Sequence, residues 1–286
     1  MQSIGFIGAG TVGTALAVRL SEKGYPVTAV ASRTRASAER LAEMVSGCKV
    51  QDNGQAVADV VEIVFITTPD DAIAQVATEI RWHPRHSVIH CSGAESLDVF
   101  QPATDAGVQV GAFHPLQTLA SVAYAIESLP GSSFALEGGE PLITTLKEMV
   151  SALRGRWIVL KPGDKVLYHA AAVMACNYFV TLVKLATDLW QTFGASDSEA
   201  TQALLPLLQG TVNNLGNVGL PNCLTGPIAR GDVGTIRKHL AALEAKAPEV
   251  ARTYRELGWQ TVPIATAKGK IDEQKAAELR ELLSRD

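Results

Sequence analysis

The sequence predicts a doubly wound α/β domain, a parallel sheet with helices on both faces, followed by an all-helical domain. Three observations predict it. Short β-rich runs alternate with amphipathic helical stretches in the first half, a glycine-rich turn joins the first run to the first helix, and strand signals vanish after Lys161-Pro162-Gly163. The boundary is therefore expected near Pro162, giving domains 1–161 and 162–286. Two domains also suit the length, because 286 residues exceed the usual size of one hydrophobic core.

Strands are expected at 3–7, 27–31, 62–67, 87–91 and 108–112, with two late strands at 133–136 and 157–160 extending the same sheet. A helix is expected at 12–24, with Leu16, Val18 and Leu20 among its apolar positions and Gly24 closing it, and another at 140–153. The second domain reads as helices at 164–193, 198–215, 233–246, 248–257 and 272–283. The stretch 166–183 has the length of a membrane span, but it carries His169 and Asn177 and lacks a flanking basic bias, so a buried helix of a soluble domain is expected. It is apolar nearly all round and should be covered by other helices or by a second subunit, which predicts a homodimer.

Composition narrows the function classes. Hydrophobic residues make up 47% against 19% charged, enough for a packed core and unlike a disordered chain. The 25 Lys and Arg against 29 Asp and Glu form no basic run, so neither nucleic acid nor an anionic membrane is an expected partner. Four widely spaced cysteines, with no Cys-x-x-Cys pair and no histidines at metal-ligand spacing, predict reduced thiols, no metal site and a cytoplasmic location. No basic segment precedes the apolar start MQSIGFIGAG, so no signal peptide is expected.

The run Gly8-Ala9-Gly10-Thr11-Val12-Gly13 follows a predicted strand and opens a predicted helix, the context in which this spacing binds a dinucleotide. Gly8 would permit the tight turn, Gly10 the approach of the backbone to a pyrophosphate, and Gly13 the packing of helix on strand. At the end of the second strand an NAD site would place an acid on the ribose diol. Here stand Ser32, Arg33 and Thr34, which repel no 2′-phosphate and can pair with one, so NADP(H) is the expected cofactor unless Arg33 is merely solvated. Thr67, Thr68 and Pro69 end the expected strand 62–67, at the carboxyl edge of the sheet, and line the adenosine and ribose side, or form a simple turn.

His90-Cys91-Ser92-Gly93 and Phe113-His114-Pro115-Leu116-Gln117-Thr118 follow the next two strands, where nicotinamide and substrate should meet. Ser92, His114 and Gln117 can hydrogen-bond a carbonyl, imine or carboxylate, although a histidine before proline is commonly a loop residue bonded to backbone. On one continuous helix His169, Asn177 and Lys184 would fall within roughly 80° of one another, a polar stripe on an apolar helix. Facing an interdomain cleft, His169 could move a proton and Asn177 orient a substrate atom; alternatively both satisfy neighbours in a helix bundle while Lys184 reaches solvent. In the loop 224–232, Asp232 is placed to cap the following helix, and Arg230 to anchor a substrate carboxylate or make an ion pair.

Taken in order, GFIGAGTVG, the SRT segment, HCSG, FHPLQT, YHAAAVMACNY and LTGPIARGD resemble a Rossmann-like family whose helical half is a domain of unknown function. The resemblance covers almost the whole chain, and the family is similar in plan to pyrroline-5-carboxylate reductase, prephenate dehydrogenase and the 3-hydroxyacid dehydrogenases. It implies NADP-dependent redox chemistry and a helical domain that supplies a dimer interface. His114-Pro115 is similar to a His-Pro element of prephenate dehydrogenases, and Tyr168-His169 to a histidine on their first long helix. The lysine that 3-hydroxyacid dehydrogenases place four residues before an asparagine is Val173 here, so that mechanism does not carry over. Two functions remain: an NADP-dependent oxidoreductase for a small carbonyl, imine or hydroxy acid, with His169, Asn177, His114 and Ser92 as its catalytic candidates, or a noncatalytic NADP(H) sensor that signals through its helical dimer.

Overall fold

The computed structural model describes residues 1–284. Two compact units divide it, Met1–Asn177 and Tyr178–Asp286. In the first, an eight-stranded sheet has the order β3-β2-β1-β4-β5-β6-β7-β8. Its strands are β1 (Ile4–Ile7), β2 (Val27–Ala31), β3 (Lys49–Val50), β4 (Ile63–Ile66), β5 (Ser87–His90), β6 (Gln109–Leu116), β7 (Ser133–Gly138) and β8 (Arg156–Val159). All pairings are parallel except β6 with β7. The order reverses between β1 and β4, and that switch point opens a crevice at the carboxyl ends of the strands.

Helices cover both faces: α1 (Thr11–Glu22), α2 (Arg35–Met44), α3 (Gly54–Ala58), α4 (Asp70–Thr78), α5 (Gln101–Asp105), α6 (Val122–Ser128), α7 (Leu142–Ala152) and α8 (Lys165–Ala175). On the face that meets α1, α6 and α7, the buried rings of Phe6, Phe65, Phe113 and Phe134 form a row across the sheet, with successive centroids 5.1, 5.9 and 4.8 Å apart. Ile7, Val64, Ile66, Val88 and Phe100 fill the opposite face. Burial on both faces is why these strands read as continuous apolar runs.

The largest departure from expectation in this unit is β6. The sequence places His114-Pro115 in a loop, whereas the strand runs on to Leu116 and sets His114 opposite Ala135 of β7. Pairing of β6 with β5 stops at Ala112, so Pro115 has only one neighbouring strand and its missing N–H is tolerated. At the other side of β7, Glu137 and Lys165 form an ion pair of 2.8 Å with side chains 8% and 3% exposed, and Lys165 also donates to the Glu95 carbonyl at 2.9 Å. This pair ties the start of α8 to the sheet. The contact boundary accordingly falls at Asn177/Tyr178, later than the change of texture at Pro162.

The second unit comprises α9 (Asn177–Gln191), α10 (Asp197–Val218), α11 (Val233–Lys246), α12 (Pro248–Ala267) and α13 (Glu273–Leu283). Ser196 and Glu199 form a capping box on α10, and Asp232 and Asp272 cap α11 and α13. Ile228, Ile236, Leu240, Val262, Ala265, Ala276 and Leu279 make its core. Packing of Val262 and Ala265 there carries α12 past the expected stop at 257 and through Pro263. The expected single helix over 164–193 is divided at Cys176, a turn residue that stays in the helical region but with φ stretched to −118° at ψ −63°. Burial of this stretch is also not what its apolarity predicted: residues 165–191 are long and apolar enough to cross a membrane, and their most apolar 18-residue window has no buried residue. Leu167 is 78% exposed and Val180 68%.

Candidate active site

The turn between β1 and α1 has the geometry that its glycines permit. Gly8 lies at φ +107°, and a Cβ there would sit 2.7 Å from the Thr67 backbone. A Cβ on Gly13 would sit 2.3 Å from Thr67 Oγ1 and 2.5 Å from the Gly8 carbonyl oxygen, so α1 packs directly on the strand ends. Gly10, by contrast, faces open space. It is the extended N-cap of α1, and its carbonyl accepts from Thr14 N–H at 2.9 Å. The amides of Thr11, Val12 and Gly13 in the first turn have no carbonyl to bond and form an anion cradle.

Thr67 proves to be part of this scaffold. Its hydroxyl donates to the Gly8 carbonyl at 2.7 Å, which fixes the turn to the end of β4. The Thr68 hydroxyl oxygen next to it is buried and has no protein partner, and Pro69 is the N-cap position of α4. Ser32, Arg33 and Thr34 follow β2 directly. Arg33 is exposed and makes no ion pair among the described residues, whereas Arg35, two positions on, is held by Glu39 and Asp52. Among the described residues, an unpaired guanidinium just after β2, a glycine at position 10 with open space before it, and a buried threonine hydroxyl without a partner together fit a dinucleotide carrying a 2′-phosphate.

Beyond β5 the polar groups form one connected cluster. Ser92 is 4% exposed; its hydroxyl donates to Asp70 at 2.7 Å and accepts from the amides of Ala94 and Glu95, while its own amide donates to His90 Nδ1. Every bond that hydroxyl can make is used, so Ser92 shapes the turn. Gly93 follows, and a Cβ there would lie 2.5 Å from His169 Nδ1 and 2.8 Å from His114 Nε2. Glycine is what lets the two imidazoles, whose centroids are 5.9 Å apart, converge over this strand end. His114 Nδ1 shares a hydrogen bond of 2.9 Å with the Tyr168 hydroxyl, and His169 Nδ1 is buried without a partner.

His114, Tyr168, His169 and Asn177 line one cavity of about 710 Å³ together with Gln117, whose amide is engaged with Ser128 and Ser132. Asn177 opens α9 after the break at Cys176, and still reaches the same cavity as His169. Lys184, the third member of the expected stripe, does not; it pairs with Asp188 at the surface. Sequence reasoning gave no role in the site to Asp70, Gly93, Lys165 or Tyr168. Only Gly93 left a local signal, as the glycine of HCSG.

Electrostatics separate the groups. Burial pushes His114 down to about 4, helped by the neighbouring His169 and Lys165 and opposed by Asp70. Burial likewise takes His90 down to about 3 and lifts the Tyr168 phenol to about 12. At neutral pH the His114–Tyr168 pair is therefore uncharged and shares one hydrogen. An unfolded histidine titrates near 6.5, so between that pH and about 4 the unfolded chain binds protons that native His114 and His90 refuse. Stability should fall as the pH drops from about 6.5 to about 4, and NMR should show His114 titrating near pH 4. A midpoint near 6.5 would contradict the geometry.

Comparison with known proteins agrees with this layout. Residues 1–115 match a Rossmann-like domain, and residues 132–261 match DUF2520, a domain of unknown function. Among solved structures, BF3122 from Bacteroides fragilis, provisionally described as an NADP oxidoreductase, is 26% identical over 92% of this chain and 98% of its own, with a TM-score of 0.71. TM1727 from Thermotoga maritima is 25% identical over 93% and 99%, with a TM-score of 0.75. A reductive aminase from Aspergillus terreus, solved with NADPH and ethyl-5-oxohexanoate, shares the fold at 18% identity over 99% and 92%, with a TM-score of 0.65. No curated protein sequence matches the chain. The chain is thus similar to a Rossmann-like domain over its first part and to DUF2520 over most of the rest.

Proposed function

We propose that the protein is an NADP(H)-dependent oxidoreductase that interconverts a small imine or carbonyl compound with the corresponding amine or hydroxy compound. The observation that carries this reading is the presence, within one unit, of an open glycine cradle at the sheet's switch point and a large cavity with two converging imidazoles. The solved structures similar to this chain support the same class of chemistry, since one is provisionally described as an NADP oxidoreductase and another is a reductive aminase in complex with NADPH.

NADPH supplies the hydride when bound, and the Gly8–Gly13 turn would hold its pyrophosphate with Ser32, Arg33 and Thr34 on the 2′-phosphate. The chain's own part is the proton. A carbon that accepts a hydride leaves an electron pair on nitrogen or oxygen, and His169 is the donor to that atom in this reading, with Asn177 orienting it. His114 stays neutral and acts with Tyr168 as a hydrogen-bonded platform that fixes where the substrate heteroatom sits. Ser92 positions the turn that carries Gly93. His169→Ala should lower turnover by about 100-fold on a substrate found by screening keto acids and cyclic imines, and leave NADPH affinity nearly unchanged. Full turnover by that variant would overturn the assignment.

The exposed apolar side chains of α9 and α10 in the second unit fit a second copy of the chain better than lipid, because Lys184 and Asp188 interrupt them. We place the homodimer there, and in a reducing compartment such as the cytoplasm, where four unpaired cysteines persist. Light scattering at micromolar concentration should give twice 30.3 kDa. A stable monomer would remove the dimer from the account.

A further inference from the structure

The loop that precedes α11 makes a second polar site that the redox reading does not use. Thr225, Gly226 and Arg230 from this loop, with Lys268 and Lys270 from the chain after α12, line a depression of about 320 Å³ within the helical unit. Three cations thus converge in a protein whose net charge is −4. Among the described residues none of them has a carboxylate within ion-pair distance. The nearest acid in sequence, Asp232, spends its carboxylate on the amide and hydroxyl of Thr235.

The loop is also built to face a ligand. Lys268 Nζ donates to the carbonyls of Asn222 at 2.9 Å and Leu224 at 2.7 Å, which pins the loop beneath it and leaves one of the three ammonium hydrogens unspent. Among the described residues the amides of Thr225 and Gly226 find no acceptor and the Thr225 hydroxyl no partner. Gly226, at φ +93°, has open space where a side chain would project. The depression is therefore lined by two free amides, a hydroxyl, a guanidinium and two ammonium groups; no acid lines it, and Asp232, close enough to Arg230 for the two charges to interact, has its carboxylate held by Thr235.

We propose that this depression binds a phosphate group, either free or on a small metabolite. The donor inventory decides between oxyanions. A carboxylate offers two oxygens, whereas a phosphate offers three terminal oxygens and up to two negative charges near neutrality, the better match to three cations and three further donors.

The test is calorimetric titration of the full chain with inorganic phosphate, with NADPH present to occupy the glycine turn and chloride used to hold ionic strength constant. Saturable binding is expected, weakened about tenfold or more in Arg230→Ser and in Lys270→Ser, as loss of a charged hydrogen bond implies, and kept in Lys270→Arg. The control Lys49→Ser, on β3, should bind as the native chain does. Both replaced side chains are exposed, so the variants should fold. Binding that survives both serine variants places the phosphate elsewhere and overturns the proposal, as does the absence of saturable binding. Acetate binding as tightly as phosphate would overturn the choice of ligand, and phosphate binding only when the glycine turn is empty would overturn the site. None of these outcomes bears on hydride transfer in the first unit.

Discussion

One hydrogen bond, from the Thr67 hydroxyl to the Gly8 carbonyl, joins the two strands between which the sheet order reverses. It works because glycine stands at Gly8 and Gly13: any Cβ at either position would occupy the space of Thr67. The carbonyl it holds follows β1 directly, and the free amides of α1 begin three residues later. Thr67 thus sets the direction in which the helix N-terminus points, and with it the place where an anion can sit. Everything assigned to the reaction side depends on that placement, since the crevice it opens continues along the same carboxyl edge to β5 and β6.

The reaction side is organised by burial more than by any single pair. Lys165 and Glu137 are buried together, which costs desolvation that only their mutual contact and the Glu95 carbonyl offset. Their presence pins α8 where Tyr168 and His169 meet His114. The cation also acts at a distance, keeping His114 and His90 neutral alongside the dominant effect of burial. A neutral imidazole hydrogen-bonded to a phenol is a fixed polar surface, while among the described residues the buried His169 Nδ1 beside it has no hydrogen-bond partner.

What was legible in the sequence follows the range of the interactions. The glycine turn could be read because strand, turn and helix are contiguous and each glycine answers a local steric demand. The shared position of His169 and Asn177 could be read from helical spacing, and it survives the break at Cys176. The His114–Tyr168 bond spans 54 residues and depends on β6 continuing through Pro115, which pairing with β7 permits and no local signal announces. Lys165 at a helix start looks like a solvated cation until Glu137 is brought beside it. Apolarity announced that α8 and α9 need cover, yet says nothing of what covers them.

The central claim is that the turn and the end of β2 hold a dinucleotide bearing a 2′-phosphate. Calorimetric titration with NADPH and NADH tests it most directly, in the native protein and in Arg33→Ala. NADPH should bind the more tightly, with about a tenfold or greater part of that preference lost in the variant, since a charged hydrogen bond to the phosphate disappears. Equal affinity of the native protein for the two cofactors would contradict it.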